Sequence, residues 1–339
     1  MSEFPRPARS FTVPSTTPPH RHLPRTAAAA LQQRAWVFAG HGSQYPGMGR
    51  GFAFETPEVC SIFVAAEDAS GLPLRTLSRH AGADELACPT VLEPLLAAMS
   101  LAYAARLAAR GHQPRAVAGY SAGLVPALAC AGVLDVQSAL TLAVRRGALL
   151  AEAAPRCRGA MFAVHGLPVP RMLAVLQGLR EARDVDVAGW NSPTHLTLAG
   201  ARAPVQAAAA ALVGAGAKSL EVPVAGAWHS RRAAGLAERC ARLFDGLAFR
   251  APRLPVYSSV SARREDDPRR LREHLAQQIE APVYWQATLA SLCAGEGLRD
   301  VLEVGCGRVL AGLQGAAARH TTPAVVFSNL FDQLKADHA

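Results

Sequence analysis

The chain has 339 residues, 50% hydrophobic and 18% charged, with 35 Lys+Arg against 26 Asp+Glu for a formal net charge of +9. So apolar a chain with so little charge is not a mostly disordered polypeptide, and its length accommodates one large domain or two smaller ones. No run approaches the roughly 18 uninterrupted apolar residues of a membrane span. The arginines carry no nucleic-acid signature, because zinc-finger spacing is missing and the 6% aromatics do not interleave with them. The excess of positive charge suits an acidic partner. Seven scattered cysteines (60, 88, 130, 157, 240, 293 and 306) form no C-x-x-C pair. They predict neither a zinc site nor a disulfide framework, and read as reduced thiols of a cytoplasmic protein.

Residues 1–30 hold six prolines and four arginines against one acid, Glu3, which predicts a disordered arm. That stretch has no apolar h-region, so it does not read as a secretory signal. The folded part opens at Ala35–Ala39, a short apolar run ended by Gly40-His41-Gly42: a buried strand entering a tight loop. Residues 91–110 carry helical periodicity, and the Ala/Leu-rich part, 95–109, is interrupted by Arg106 and reads as a buried helix. Ala116–Gly119 is a second short strand and Ala122–Ala131 a small-residue helix. Asp135 is the N-cap of a long helix to Ala154. Strands alternating with helices predict an α/β core with a mostly parallel sheet.

Residues 158–223 change pattern. Strands are expected at 160–164, 185–190, 195–199 and 219–222, with helices at 170–182 and 204–213. The order β-α-β-β-α-β is that of a ferredoxin-like unit. The expected organisation is therefore an arm (1–30), a core in two pieces (31–157 and 224–330), an inserted small subdomain (158–223) and a tail (331–339). The core resumes near Trp228, with strands at 254–258, 300–304 and 324–328.

Gly119-Tyr-Ser121-Ala-Gly123 is a G-x-S-x-G sequence between an apolar strand and a helix, the setting of a nucleophile elbow. The sharp turn exposes the serine oxygen, small neighbours let the backbone pass, and the helix N-terminus favours developing negative charge. A serine nucleophile needs a base. His320 and His338 come late in the chain but in no convincing strand-end loop. His229, in Gly226-Ala-Trp-His-Ser230, follows a strand and opens a helix.

Further motifs decide between them. Trp36-Val-Phe-Ala-Gly-His-Gly-Ser-Gln-Tyr-Pro-Gly-Met-Gly49 is similar to the opening of malonyl-CoA:acyl-carrier-protein transacylases and polyketide-synthase acyltransferase domains. In the same order follow Gly-Tyr-Ser121-Ala-Gly, Arg146-Gly147, Asn191-Ser-Pro193, Ala227-Trp-His229-Ser230, Gln278 ahead of Pro282-Val-Tyr-Trp285, and Glu303-Val-Gly-Cys-Gly-Arg-Val-Leu310. The resemblance covers about 35–330 and implies an α/β-hydrolase-like core with a ferredoxin-like insert. It implies ping-pong transfer of a malonyl or related acyl group from coenzyme A, through an ester on Ser121, to an acyl carrier protein. His229 would be the base, oriented by a backbone carbonyl near Gln278, and the N–H groups of Ala122 and His41 would form the oxyanion hole. Arg146 would pair with the malonyl carboxylate, and Glu93, Asn191 and Trp228 would lie on the substrate side. Arg231 and Arg232 are candidates for coenzyme A phosphates or for the acidic carrier. The resemblance implies no metal and no cofactor beyond the coenzyme A thioester, and neither membrane nor nucleic acid as partner.

This sequence departs from the family pattern at four places. His41 replaces the middle glutamine of Gly-Gln-Gly, Tyr120 replaces the histidine before the serine, Leu124 replaces a glutamate after it, and Glu93 replaces a glutamine. A Glu93 facing Arg146 would neutralise it and weaken malonyl selection. A second imidazole at 41 would hold a water and favour hydrolysis. The competing functions are therefore an acyl hydrolase that clears stalled carriers, the acyltransferase subunit of a malonate decarboxylase, and a non-catalytic carrier-docking protein.

Overall fold

The computed structural model describes residues 34–314 and 326–329. The arm over 1–30, the tail over 331–339, His320 and His338 lie outside the described residues.

Strand β1 (Ala35–Phe38) is buried along its whole length. Trp36 and Phe38 enter one apolar core, whereas Ala35 and Val37 enter another. A strand covered on both faces needs this unbroken apolar sequence. Four helices follow: α1 (Pro57–Ser70), α2 (Leu74–His80), α3 (Ala83–Ala87) and α4 (Pro89–Ala109). Proline opens α1 in its first turn and Gly71, left-handed at φ 67°, closes it. Helix α4 is long and apolar enough to cross a membrane, yet 83% of its apolar window is buried inside the protein. Its apolar residues serve a core on every side. Arg106 does not interrupt it, because the guanidinium lies over the Phe52 ring, 5.5 Å from its centroid.

Strand β2 (Val117–Gly119) leads through a 3₁₀ turn (Ser121–Gly123) into α5 (Leu124–Cys130), so the small-residue helix begins two residues later than its sequence suggests. Helix α6 (Val136–Ala153) starts at Asp135, whose carboxylate accepts the Ser138 N–H at 2.7 Å.

The middle of the chain builds a second sheet from β3 (Ala160–His165), β4 (Val185–Ser192), β5 (His195–Gly200) and β6 (Lys218–Glu221). Helices α7 (Val169–Gln177) and α8 (Arg202–Gly214) complete it. The strand order is β4-β5-β3-β6, and every pairing is antiparallel. That is the ferredoxin-like arrangement expected from the sequence. The helix expected over 170–182 is shorter, because Gly178 follows α7 and a separate 3₁₀ turn spans Arg180–Asp184.

After α9 (Leu236–Arg242) come β7 (Val256–Ser258), β8 (Arg263–Glu265), α10 (Pro268–Gln277), α11 (Trp285–Glu296), β9 (Asp300–Glu303), α12 (Val309–Gln314) and β10 (Val326–Asn329). The main sheet has the order β10-β9-β1-β2-β7-β8. It is parallel except for β8, which runs antiparallel to β7 at the edge. Strands β1 and β2 are central neighbours, and the loops leaving their C-terminal ends meet above the sheet, where open α/β folds place their sites. The second sheet is tied to this region through backbone bonds from Trp190 N–H to Val283 O (2.8 Å) and from Val283 N–H to Ala188 O (2.9 Å).

Candidate active site

The sharp turn after β2 is held open by three glycines. A Cβ on Gly119 would lie 2.2 Å from the Leu124 nitrogen, and one on Gly123 would lie 2.1 Å from the Phe38 oxygen. A Cβ on Gly40 would sit 2.5 Å from the Tyr120 oxygen and 3.0 Å from the Ala122 nitrogen. The loop after β1 is thus pressed against the serine turn at Gly40, the residue before His41. Gly123→Ala is expected to cost at least about 1–3 kcal/mol, since Phe38 is part of the central strand and cannot move aside. An unchanged melting temperature would contradict this close approach.

Ser121 is left-handed at φ 52°, and so is His229 at φ 58°. Non-glycine residues hold that conformation only where the surrounding structure enforces it. At His229 the enforcement is visible: its N–H donates to Ile279 O at 2.8 Å. The two side chains meet with Ser121 Oγ 2.8 Å from His229 Nε2. On the other side of the ring Nδ1 lies 3.0 Å from Ala281 O. A carbonyl only accepts, so Nδ1 carries the proton and Nε2 is left to accept from the serine. Burial drives the His229 pKa from an ordinary 6.5 down to about 4, against the opposing carbonyls of Ala281 and Gln278 and with help from the Arg146 charge. The ring is therefore neutral at physiological pH.

The sequence places an orienting carbonyl near Gln278; the Gln278 carbonyl is one of two that the ring meets, and the other, on Nδ1, belongs to Ala281. The Gln278 side chain has a different place. With its amide oriented to satisfy both ends, its nitrogen donates to Ser121 O at 2.7 Å and its oxygen accepts from Arg146 Nη1 at 3.2 Å. The amide thus links the serine turn to the arginine.

Arg146 and Glu93 are 3% and 2% exposed, and they face one another across α6 and α4. Arg146 Nε lies 3.2 Å from Glu93 Oε2 and Nη2 lies 3.3 Å from Oε1, a two-pronged pairing. Gly147 allows it, because a Cβ there would come within 2.6 Å of the Pro89 oxygen at the start of α4. His41 Nε2 stands 2.9 Å from Glu93 Oε1. Burial alone would raise the Glu93 pKa, but the Arg146 charge and His41 outweigh it and hold the carboxyl at about 2.

A cleft of about 280 Å³ runs over these groups, between the main sheet and the smaller one. Leu150, Met161, Ala188 and Ile279 give it apolar walls, with Ser121, His229, His41 and Arg146 at its polar end. Trp228 is 3% exposed and lines the cleft beside His229. Asn191 is reached through a chain of hydrogen bonds: Tyr120 donates to Asn191 Oδ1 at 2.9 Å, and Asn191 Nδ2 donates to Thr197 Oγ1 at 2.9 Å. The tyrosine before the serine thus anchors the turn to β4 and β5, a role its sequence position does not announce. Leu124 is fully buried in the main core. Glu303 accepts the N–H groups of Leu310 and Ala311, each at 2.9 Å, and so fixes α12, whose Leu313 borders the cleft.

The arginines suggested for phosphate or carrier are already engaged. Arg231 holds Asp186 with bonds of 2.8 and 2.9 Å, and Arg232 Nε donates to Arg158 O at 2.6 Å. The seven cysteines, all among the described residues, form no disulfide. Among the described residues no three His, Cys, Asp or Glu side chains gather as metal ligands.

An α/β fold with a strained serine at the end of a central strand, hydrogen-bonded to a neutral histidine under an apolar cleft, defines a class of enzyme that works through an acyl-serine. The chain belongs to the acyl transferase domain family, whose model matches residues 35–316. It is 35% identical over 286 residues to the malonyl CoA-acyl carrier protein transacylase of Haemophilus influenzae, covering 84% of this chain and 91% of that one. The corresponding Escherichia coli K12 protein is 34% identical over 285 residues, covering 84% of this chain and 92% of that one. Among solved structures, a malonyl-transacylase bound to its type II polyketide-synthase acyl-carrier protein superposes with a TM-score of 0.79 at 31% identity, over 88% of this chain and 96% of that one. The Streptococcus pneumoniae enzyme gives 0.76 at 30%, over 88% and 95%.

Proposed function

We propose that this acyltransferase moves a malonyl or related acyl group from coenzyme A to the phosphopantetheine thiol of an acyl carrier protein, in fatty-acid or polyketide synthesis in the cytoplasm. The observation that carries the proposal is the 2.8 Å contact between Ser121 Oγ and a His229 Nε2 left free to accept. In the first half-reaction His229 takes the hydroxyl proton as Oγ attacks the thioester carbon. The carbon–sulfur bond breaks, and coenzyme A leaves with the proton returned by His229. In the second half-reaction the carrier thiol gives His229 its proton and attacks the ester carbon, and Ser121 recovers its hydroxyl. The adjacent backbone amides of His41 and Ala122 are the donors for the oxyanion. Gln278 holds the serine turn against Arg146, Trp228 lines the cleft, and Asn191 holds Tyr120 in place beneath it. Arg146 lines the cleft together with Ser121 and His229. The coenzyme A thioester is the only small molecule the chemistry requires, with no further cofactor.

Steady-state rates measured with donor and carrier both varied test the covalent intermediate. Parallel double-reciprocal lines are expected, and intersecting lines would contradict it. The pH dependence tests the base. Because burial lowers the His229 pKa to about 4, acylation should hold steady from pH 8 to about 5 and fall below that as the ring gains its proton. A break near 6.5 would mean a hydrated imidazole.

A further inference from the structure

We infer that Glu93 sets the donor range of this enzyme: by neutralising Arg146 it allows uncharged acyl groups onto Ser121 at rates comparable with carboxylated ones. The inference rests on the acyl-transfer reading and extends it to the substrate class. Its basis is how the arginine's donors are used. A guanidinium has five N–H donors. In Arg146, the Nε and Nη2 edge grips both oxygens of Glu93, and one N–H of Nη1 is given to Gln278. An incoming carboxylate cannot take the edge that Glu93 holds.

The charge balance points the same way. Arg146 and Glu93 are buried and cancel, and His229 is neutral above the acid range. A malonyl carboxylate would add a second anion beside Glu93, where the Arg146 guanidinium is already matched and the other neighbour of the pair is the His41 imidazole, 2.9 Å from Glu93, and burying an unmatched charge is strongly unfavourable. An acetyl, propionyl or butyryl group brings no such charge, and Leu150, Met161, Ala188 and Ile279 offer it an apolar wall. The pair is also well anchored, with Gly147 bringing α4 and α6 together at this point. Glutamine at 93 has the same shape and keeps an oxygen for Arg146, but lacks the charge. Arg146 would then be a buried cation with an unfilled need for an anion, the condition that favours a malonyl group.

The experiment is acyl-enzyme formation by rapid quench with malonyl-CoA and with acetyl-CoA, on the native protein and on Glu93→Gln. For the native protein the two loading rates should agree to within about tenfold, and in Glu93→Gln the malonyl:acetyl ratio should rise by about tenfold or more. A native enzyme that prefers malonyl by more than that margin, or a ratio that stays within it in Glu93→Gln, overturns the inference. If Glu93→Gln does not fold, the native ratio alone decides. Loading from both donors with an unmoved ratio refutes the role of Glu93 and leaves the acyl-transfer reading standing. Loading from neither donor refutes the acyl-transfer reading, and this inference with it.

Discussion

Replacing Ser121 by alanine should remove acyl-enzyme formation completely and lower carrier acylation by about 10⁴-fold or more while leaving the fold intact. The size of the effect follows from the geometry. Ser121 Oγ is the oxygen that faces His229 Nε2, at 2.8 Å. Alanine meets the same backbone restriction as serine at φ 52°, so the turn should keep its shape. Its Cβ adds no volume, and the Gln278 bond goes to the main-chain oxygen, which the substitution retains. The melting temperature is therefore expected to stay close to that of the native protein. An alanine variant that still becomes acylated would place the nucleophile elsewhere.

The second large effect belongs to Arg146→Ala, and it strikes stability as well as donor use. The substitution leaves Glu93, 2% exposed, without the cation that holds its carboxylate ionised. Breaking one side of a buried ion pair typically costs about 3–5 kcal/mol. In a protein of this size that is on the order of ten degrees in melting temperature. Lysine should restore little, because it cannot span both oxygens of Glu93 as the guanidinium does. In the protein that does fold, a malonyl carboxylate no longer meets a guanidinium at this end of the cleft, so malonyl loading should fall further than acetyl loading. Equal losses from both donors would show that Arg146 supports the turn through Gln278 rather than facing the acyl group.

The residues that carry chemistry were legible where a local pattern marks them. The G-x-S-x-G turn between strand and helix gave Ser121, the resemblance added His229, and the Glu93 replacement was readable as a possible neighbour of Arg146. The partners that complete the site were not legible. The carbonyls of Ala281 and Ile279 that hold the histidine are main-chain atoms with no side-chain signature. The Tyr120–Asn191 bond joins residues 71 positions apart, and nothing in either sequence neighbourhood announces the other. The fold shows the same division. Alternating apolar strands and helices predicted the parallel core, because strands such as β1 are buried on both faces and must be apolar throughout. Strand β8, Arg-Arg-Glu at the sheet edge with its arginines exposed, has no apolar alternation to read and was missed. Helix α7 reads too long in the sequence because Leu179 and Ala182 continue an apolar pattern beyond Gly178, past which the chain turns instead.

An acyl group that passes through Ser121 to a carrier protein must leave a covalent trace on the serine. Intact-protein mass spectrometry tests it most directly, after brief incubation with malonyl-CoA and a chase with either holo acyl carrier protein or plain buffer. A single acyl adduct is expected, one that maps to Ser121, moves to the carrier, and persists in buffer. An adduct that falls to water as fast without the carrier as with it would make the protein a hydrolase, and carrier binding without any adduct would contradict the acyl-serine altogether.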